Sequence, residues 1–131
     1  MKTGCVLFAK DIVRLADFYE ACLSLERTAV ERSHIVLTAP VFELVIHAIP
    51  RKVASRIDIQ TPPIARAETP IKPVFEVDDL NALRSTVGNH GGVLGPIEKA
   101  WQIRGATVLD ALDPEGNVIQ FRQPSRPKES S

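Results

Sequence analysis

The segment FELVIHA contains the two side chains of this sequence that most readily suggest acid–base chemistry, Glu43 and His47. A carboxylate and an imidazole act together on a substrate when both reach the same proton. Residues four apart on a strand share a face but are separated by roughly 13 Å, so these two cannot touch directly. We therefore favour a histidine at the rim of a pocket, with an acid–base pair as the less favoured alternative.

The two cysteines, Cys5 and Cys22, are the other candidates for chemistry. They are too few to form a disulfide framework, and both fall at apolar positions of the sequence pattern. We interpret them as reduced thiols in the core. The alternative is that one of them is reactive.

The composition is that of a globular protein and restricts its partners. Of 131 residues, 44% are hydrophobic and 24% are charged, and the formal net charge is zero. This length suits one domain with a sizeable core. A neutral chain has no general basic surface to attract nucleic acid or an anionic membrane, and no apolar run approaches the roughly 18 residues of a membrane span. We expect a cytoplasmic protein that binds neither nucleic acid nor membranes.

The elements that must position these side chains form two similar halves. In the first half a strand over 5–10 precedes a helix that begins after Asp11 and carries apolar residues at helical spacing. Three further strands are predicted, at about 25–31, 34–38 and 41–48. Residues 50–70 contain several prolines and no sustained period, which is typical of a linker.

The second half repeats this order. A strand over 72–77 precedes a helix capped by Asp78 or Asp79, and the segment VFEVDD aligns with VLFAKD of the first half. Three strands follow, at about 92–97, 100–109 and 117–122. The predicted organisation is one domain of two βαβββ modules, at 3–49 and 71–123. A linker at 50–70 joins the modules, and a flexible tail follows at 124–131.

Three features occur together: the βαβββ duplication, the helix start DIVRLADFYEACLSLE, and the turn and strand DPEGNVIQF. With them the chain, from about residue 3 to 123, resembles the vicinal oxygen chelate superfamily. That group includes glyoxalase I, bleomycin-resistance proteins, fosfomycin-resistance enzymes and extradiol dioxygenases. The resemblance implies an α+β fold in which the two modules form a curled, partly open mixed sheet around a cleft.

The resemblance also implies where a metal would bind. In the metal-dependent members four cleft positions hold one divalent ion, and they fall here at Gly4, Glu43, Lys72 and Gln120. Glycine has no side chain to offer, lysine is cationic, and an amide oxygen is a weaker ligand than a carboxylate. Glu43 is the one ordinary ligand that remains. We therefore expect no metal at these positions and no other cofactor.

Strand parity extends these positions to whole faces, because side chains alternate along a strand. The same face is expected to carry Val6, Phe8, Val41, Val45, His47, Val74, Glu76, Val118 and Arg122. The opposite face has no charge, so it is expected to pack against the helices, and it consists of Cys5, Leu7, Phe42, Leu44, Ile46, Phe75, Val77, Ile119 and Phe121.

At the centre of the cleft we expect Glu43, Lys72 and Gln120, ringed by valines. Because a buried carboxylate without a partner is costly, we predict that Lys72 pairs with Glu43 across the cleft. The lysine either grips an anionic or carbonyl oxygen of a ligand, or forms a structural ion pair that closes the cleft. These two alternatives carry equal weight.

Three more side chains are placed at the cleft. Glu76 and Arg122 are expected to form a second charged layer or a salt bridge at its mouth. Trp101, the one tryptophan, lies on a strand that borders the cleft in the family. It stacks on a ligand or, in the favoured interpretation, packs within the protein or at a dimer interface.

The resemblance and these residues favour a metal-independent homodimeric protein that binds a small organic molecule in the cleft. The alternatives are a lyase, isomerase or dioxygenase, with a metal or with Glu43 or Lys72 as a base, and an accessory domain that acts through protein contacts. An open pocket favours binding or catalysis. A cleft bridged by Glu43 and Lys72 favours the accessory domain.

Overall fold

The structure, a computed structural model, describes residues 2–125 as two separate mixed β-sheets with helices packed against one side. The first half contains β1 (Thr3–Ala9), α1 (Ile12–Leu23), β2 (Glu26–Val30), β3 (His34–Ala39) and β4 (Phe42–Ala48). Its strands pair in the order β1-β4-β3-β2, with β1 parallel to β4 and the other pairs antiparallel. Asp11 caps α1, as predicted, because its carboxylate accepts a hydrogen bond from the backbone N–H of Arg14 at 3.1 Å.

The segment predicted as a linker contains one short helix, α2 (Arg51–Ala54), that its proline content did not predict. Pro50 precedes this helix, and its carbonyl accepts hydrogen bonds from the N–H groups of Val53 and Ala54. Proline is tolerated at a helix start because the first N–H groups have no partner within the helix. Residues 55–73 form neither helix nor strand.

The second half contains β5 (Val74–Glu76), α3 (Leu80–Asn89), β6 (Val93–Leu94), β7 (Trp101–Ile103), β8 (Ala106–Leu112) and β9 (Val118–Pro124). The sheet order is β5-β9-β8-β6, and β7 also pairs with β8. In the second sheet, β6 and β7 together therefore occupy the position that β2 has in the first sheet. β5 is parallel to β9. Asp79 caps α3 through hydrogen bonds from the N–H groups of Asn81 and Ala82.

Two predicted strand boundaries in this half are wrong. The strand predicted over 100–109 is divided between β7 and β8 by a turn at Arg104 and Gly105, whose φ values of 48° and 74° lie in the left-handed region. The strand predicted over 92–97 ends at Leu94, and a 3-10 turn forms at Ile97–Lys99. β9 extends to Pro124, the first residue of the predicted tail, and the tail from residue 126 lies outside the described residues.

The helix-facing sides of both sheets form one core, as strand parity predicted. All nine residues assigned to that face belong to the core cluster or pack against it. Phe75 joins the two halves, because its ring centroid lies 5.6 Å from that of Tyr19 and 5.9 Å from that of Phe42. Within residues 2–125, no helix is long and apolar enough to cross a membrane.

The DPEGN turn between β8 and β9 is hydrogen-bonded to α1. The Tyr19 hydroxyl donates to Asp113 Oδ2 at 2.7 Å, and both residues are fully buried. The other Asp113 oxygen accepts from the N–H groups of Glu115 and Asn117, and the Asn117 amide donates to Oδ2. Burial raises the pKa of Asp113, and these donors partly offset the rise. Burial and the neighbouring Asp113 raise the pKa of Tyr19 well above its usual value.

The buried Glu115 side chain holds the start of the same helix. Its two carboxylate oxygens accept hydrogen bonds from the backbone N–H groups of Lys10 and Asp11, each at 2.8 Å. Gly116 has φ 82°, and a Cβ there would lie 2.2 Å from the Ile64 carbonyl oxygen, so glycine is required. The two motifs FY and DPEGN, which suggested the superfamily, are therefore in direct contact.

Candidate functional site

The side of each sheet opposite the helices is the candidate site, and we call it the open face. On the first sheet it consists of three rows across β1, β4 and β3: Gly4, Glu43 and Thr38; Val6, Val45 and Val36; Phe8, His47 and His34. Val6 and Phe8 are 52% and 59% exposed. The strand register therefore places apolar side chains in solvent, where they are available for contact with another molecule.

The open face of the second sheet is more polar. One row contains Val74, Gln120 and Asp110, and the next contains Glu76, Arg122, Val108 and Trp101. Val108 is fully buried yet does not belong to the core cluster under the helices. Trp101 and Arg122 are its neighbours in register on the open face. Trp101 remains 41% exposed.

Lys72 pairs with a residue that the sequence analysis did not select. Its Nζ lies 2.8 Å from Asp110 Oδ2, in place of the predicted pair with Glu43. Asp110 is in register with Gln120 on the sheet next to Lys72, whereas Glu43 lies in the other sheet. The one feature of the sequence that indicates Asp110 is its charge inside the otherwise apolar strand ATVLDAL. The side chains are 43% and 39% exposed, so the pair contributes only about 0–1 kcal/mol to stability.

Two buried polar atoms on this face have no hydrogen-bond partner among the described residues, Asp110 Oδ1 and Arg122 Nε. Arg122 uses another nitrogen to donate to the side-chain oxygen of Gln120 at 3.3 Å. An unpaired buried polar atom costs about 1–3 kcal/mol. A ligand that paired with both atoms would recover that free energy, so these atoms are candidate polar anchors.

Glu43 and His47 lie apart, as strand geometry predicted. The half-buried carboxylate of Glu43 makes no side-chain hydrogen bond within residues 2–125. The His47 Nδ1 lies 2.9 Å from the Ala48 carbonyl oxygen, which can only accept, so Nδ1 carries the proton. The His47 ring stacks with that of His34, the first residue of β3. Phe8 lies on its other side, at 5.8 Å between ring centroids.

The residues at the four family metal positions do not fit a divalent ion. A Cβ at Gly4 would lie 2.4 Å from the Glu43 carbonyl oxygen, so the strands leave no space for a liganding side chain there. Lys72 is held by Asp110, and Gln120 accepts from Arg122. Across the described chain, no group of three or more His, Cys, Asp or Glu side chains is close enough to hold a metal.

Two cavities lie where the sheets approach each other. One, of about 200 Å³, is lined by residues that include Val6, Ile71 and Val118. The other, of about 340 Å³, is lined by residues that include Val41 and Val74. Each cavity contains open-face residues from both halves, so the two open faces are adjacent at this junction.

The thiols are unsuited to nucleophilic chemistry. Cys5 is half-buried beside the smaller cavity, and Cys22 lies on the buried face of α1. Burial raises the pKa of Cys5, and it raises the pKa of Cys22 to about 12. Because the thiolate is the reactive form, a raised pKa lowers the reactivity of both side chains at neutral pH.

Solved structures with a similar arrangement identify the fold. A glyoxalase/bleomycin resistance protein/dioxygenase family enzyme from Burkholderia phytofirmans matches with a TM-score of 0.67 and 17% identity, over 92% of this chain and 95% of that one. The bleomycin resistance determinant of transposon Tn5 matches with a TM-score of 0.62 and 17% identity, over 96% and 99%. The chain has the glyoxalase/bleomycin-resistance fold.

A third match is the fosfomycin resistance protein FosX from Mesorhizobium loti, with a TM-score of 0.63 and 12% identity, over 95% of this chain and 91% of that one. No family model and no curated protein matches the sequence. At these identities the similarity establishes the α+β fold, with its two sheets and no closed barrel among the described strands. The chemistry must be argued from the site.

Proposed function

We propose that this protein binds a small organic molecule on its open face without a metal ion. The observation that carries the proposal is the combination of exposed apolar side chains, Val6 and Phe8, with the unpaired polar atoms of Asp110 and Arg122. Ligand sites in proteins combine apolar walls with a few polar groups of this kind. The polar anchors orient the ligand, and the apolar walls supply most of the free energy of binding.

Two of the proteins that share the fold are named for resistance to bleomycin and to fosfomycin. Both compounds are small organic molecules. This supports the same ligand class here, by analogy of fold. The residues supply the more direct support, because the Lys72–Asp110 pair leaves Glu43 free and does not bridge the two sheets.

We further propose that the functional form is a homodimer that completes the cleft. Val41 is 69% exposed at the junction of the sheets, and Val6, Phe8 and Trp101 are also exposed on the open faces. Large exposed apolar areas of this kind are typical of interfaces. Sedimentation equilibrium at micromolar concentration tests this, and a monomer at all concentrations would refute it.

A metal-free lyase, isomerase or dioxygenase is the second candidate. Asp110 favours it, because one carboxylate oxygen is held by Lys72 while the other has no partner among the described residues. A positioned carboxylate with a free oxygen can accept a proton from a substrate. Incubation of each identified ligand with the protein, followed by mass spectrometry, distinguishes turnover from binding.

We place the protein in the cytoplasm. Neither Cys5 nor Cys22 is in a disulfide. Reduced thiols are typical of that compartment. Fractionation of the cells that produce the protein, with antibody detection, tests this location.

The central experiment is a compound screen by thermal shift, with affinities of the hits measured by calorimetry. Phe8→Ser removes an apolar wall and Arg122→Gln removes a polar anchor. Val13→Ser is the matched control, because Val13 is 54% exposed on α1. We expect about 10-fold weaker binding for each site variant and no change for the control. The proposal would be refuted by hits that bind all variants equally, or by hits whose binding is lost when a chelator removes metal ions.

A further inference from the structure

A second concave surface lies beside the end of β4 and meets the open face at His47, which belongs to both. Four basic side chains from separate parts of the chain line it: Lys10 after β1, Arg32 between β2 and β3, His47 at the end of β4, and Arg51 in α2. Its volume is about 670 Å³. The hydroxyl groups of Ser33 and Ser55 also belong to the lining. We call this surface the basic depression.

The charge of the basic depression is not neutralised by its own lining. None of the described residues that line it is an Asp or a Glu. In the sequence, no acidic residue occurs between Glu43 and Asp58, whereas Arg51, Lys52 and Arg56 fall in that interval. The formal net charge of the whole chain is zero, so this local excess of cations is a property of the site. A concave surface of one sign concentrates ions of the opposite sign.

The remainder of the lining is apolar and is formed by Ala48, Ile49, Pro50 and Ala54. Arginine side chains recognise oxyanions in a bidentate manner, and lysine adds a point charge. Apolar groups beside them bind the carbon part of the same molecule. The lining therefore suits a ligand that has an oxyanion at one end and a short apolar group at the other.

We propose that the basic depression is a binding site for a small organic oxyanion, of which a phosphate monoester is the simplest example. Arg32 and Arg51 contact the oxyanion, and Lys10, whose Nζ donates to the Ile57 carbonyl oxygen, contributes its positive charge. The apolar lining contacts the organic group. This site differs from the proposed ligand site on the open face, since His47 is the one open-face residue in its lining and Asp110 and Arg122 take no part in it.

Calorimetric titration with phenyl phosphate and with inorganic phosphate, at low ionic strength, tests the proposal. We expect saturable binding of one phenyl phosphate per chain, with inorganic phosphate bound more weakly because it lacks the apolar part. Arg32→Gln and Arg51→Gln should each weaken binding by about 10-fold, the usual effect of losing one charge-assisted contact. Both side chains are exposed, so the fold should persist, and circular dichroism checks this.

Arg104→Gln is the matched control, since it removes the same charge from an exposed position in the β7–β8 turn. Unchanged affinity in this variant and in Arg122→Gln would support a distinct site at the basic depression. An equal loss in Arg104→Gln would show a general charge effect, and a loss in Arg122→Gln would locate the oxyanion on the open face. Either result would overturn the proposal, as would the absence of saturable binding or equal affinity for the two phosphates.

Discussion

Replacement of Tyr19 by phenylalanine tests how the DPEGN turn holds the first helix. The substitution removes one atom, the hydroxyl oxygen that donates to Asp113 Oδ2 at 2.7 Å, and leaves the aromatic ring in the core. After the change, Asp113 Oδ2 keeps one donor, the Asn117 side-chain amide. No apolar contact is lost, so the measured effect belongs to the hydrogen bond.

The expected loss follows from the burial of both partners. A hydrogen bond to a charged group contributes about 1.5–3 kcal/mol, and a fully buried carboxylate cannot recover the lost donor from water. We therefore expect Tyr19→Phe to lower the free energy of unfolding by about 2 kcal/mol at neutral pH. For a chain of this size that corresponds to a decrease in Tm of roughly 6–10 °C.

The pH dependence separates this mechanism from a general packing defect. Burial raises the pKa of Asp113 in the folded protein above its usual value, so the folded state favours the protonated form. The stabilisation that comes from protonated Asp113 is fully present below the usual pKa of the carboxyl group. It is lost as the pH rises through the higher pKa of the folded protein. Loss of the Tyr19 donor should raise the folded pKa further. The destabilisation by Tyr19→Phe should therefore be larger at pH 7.5 than at pH 4.

Urea denaturation of the wild type, Tyr19→Phe, Asp113→Asn and the double variant measures these quantities. A double-mutant cycle should give a coupling of at least about 1 kcal/mol between the two side chains. A loss below about 0.5 kcal/mol that is equal at both pH values would refute the reasoning. It would show that the buried pair positions the turn without stabilising it.

Three further outcomes are expected. Glu115→Ala leaves two backbone N–H groups at the start of α1 without their acceptor, so it should lower the free energy of unfolding in urea by about 2–4 kcal/mol. Glu115→Gln keeps one acceptor and should cost less. Equal costs for the two variants would contradict this account. Gly4→Ala should destabilise the protein by about 1–3 kcal/mol, because the new Cβ meets the Glu43 carbonyl oxygen. Gly88→Ala has open space around it in α3 and should stabilise the protein by about 0.5–1 kcal/mol. A neutral Gly4→Ala would refute the steric argument. Cys22, with its pKa raised to about 12, should react with a thiol reagent at pH 8 only after unfolding, and rapid labelling of the native protein would contradict its burial.

Much of the fold was predictable because its signals are local. The caps Asp11 and Asp79, the spacing of Leu80, Leu83 and Val87 in α3, and the period-two alternation of the strands each depend on neighbours in sequence. The assignment of strand faces was also confirmed, since a slip of one residue would have placed Glu43 under the helices. The 3-10 turn at Ile97–Lys99 was missed because a single helical turn has too few residues to show a period.

The candidate site was less predictable because it depends on contacts between distant strands. Parity indicated that Glu43, Gln120 and Arg122 share the open face, but it could not choose the partner of Lys72. That choice depends on sheet order, which places Asp110 on the strand next to Gln120. Gly4 was interpreted as an absent metal ligand, and the structure adds a steric reason, since β1 approaches β4 too closely for any side chain there.

The sequence by itself determined the duplicated βαβββ order, the helix caps and the face on which each strand residue lies, because periodicity and capping are properties of short segments. Only the tertiary structure decided that Asp113 and Glu115 hold the first helix, that Lys72 pairs with Asp110, and that basic side chains from four segments surround one depression. These features join residues far apart in the chain. Their geometry exists only after the two sheets and the linker have packed together.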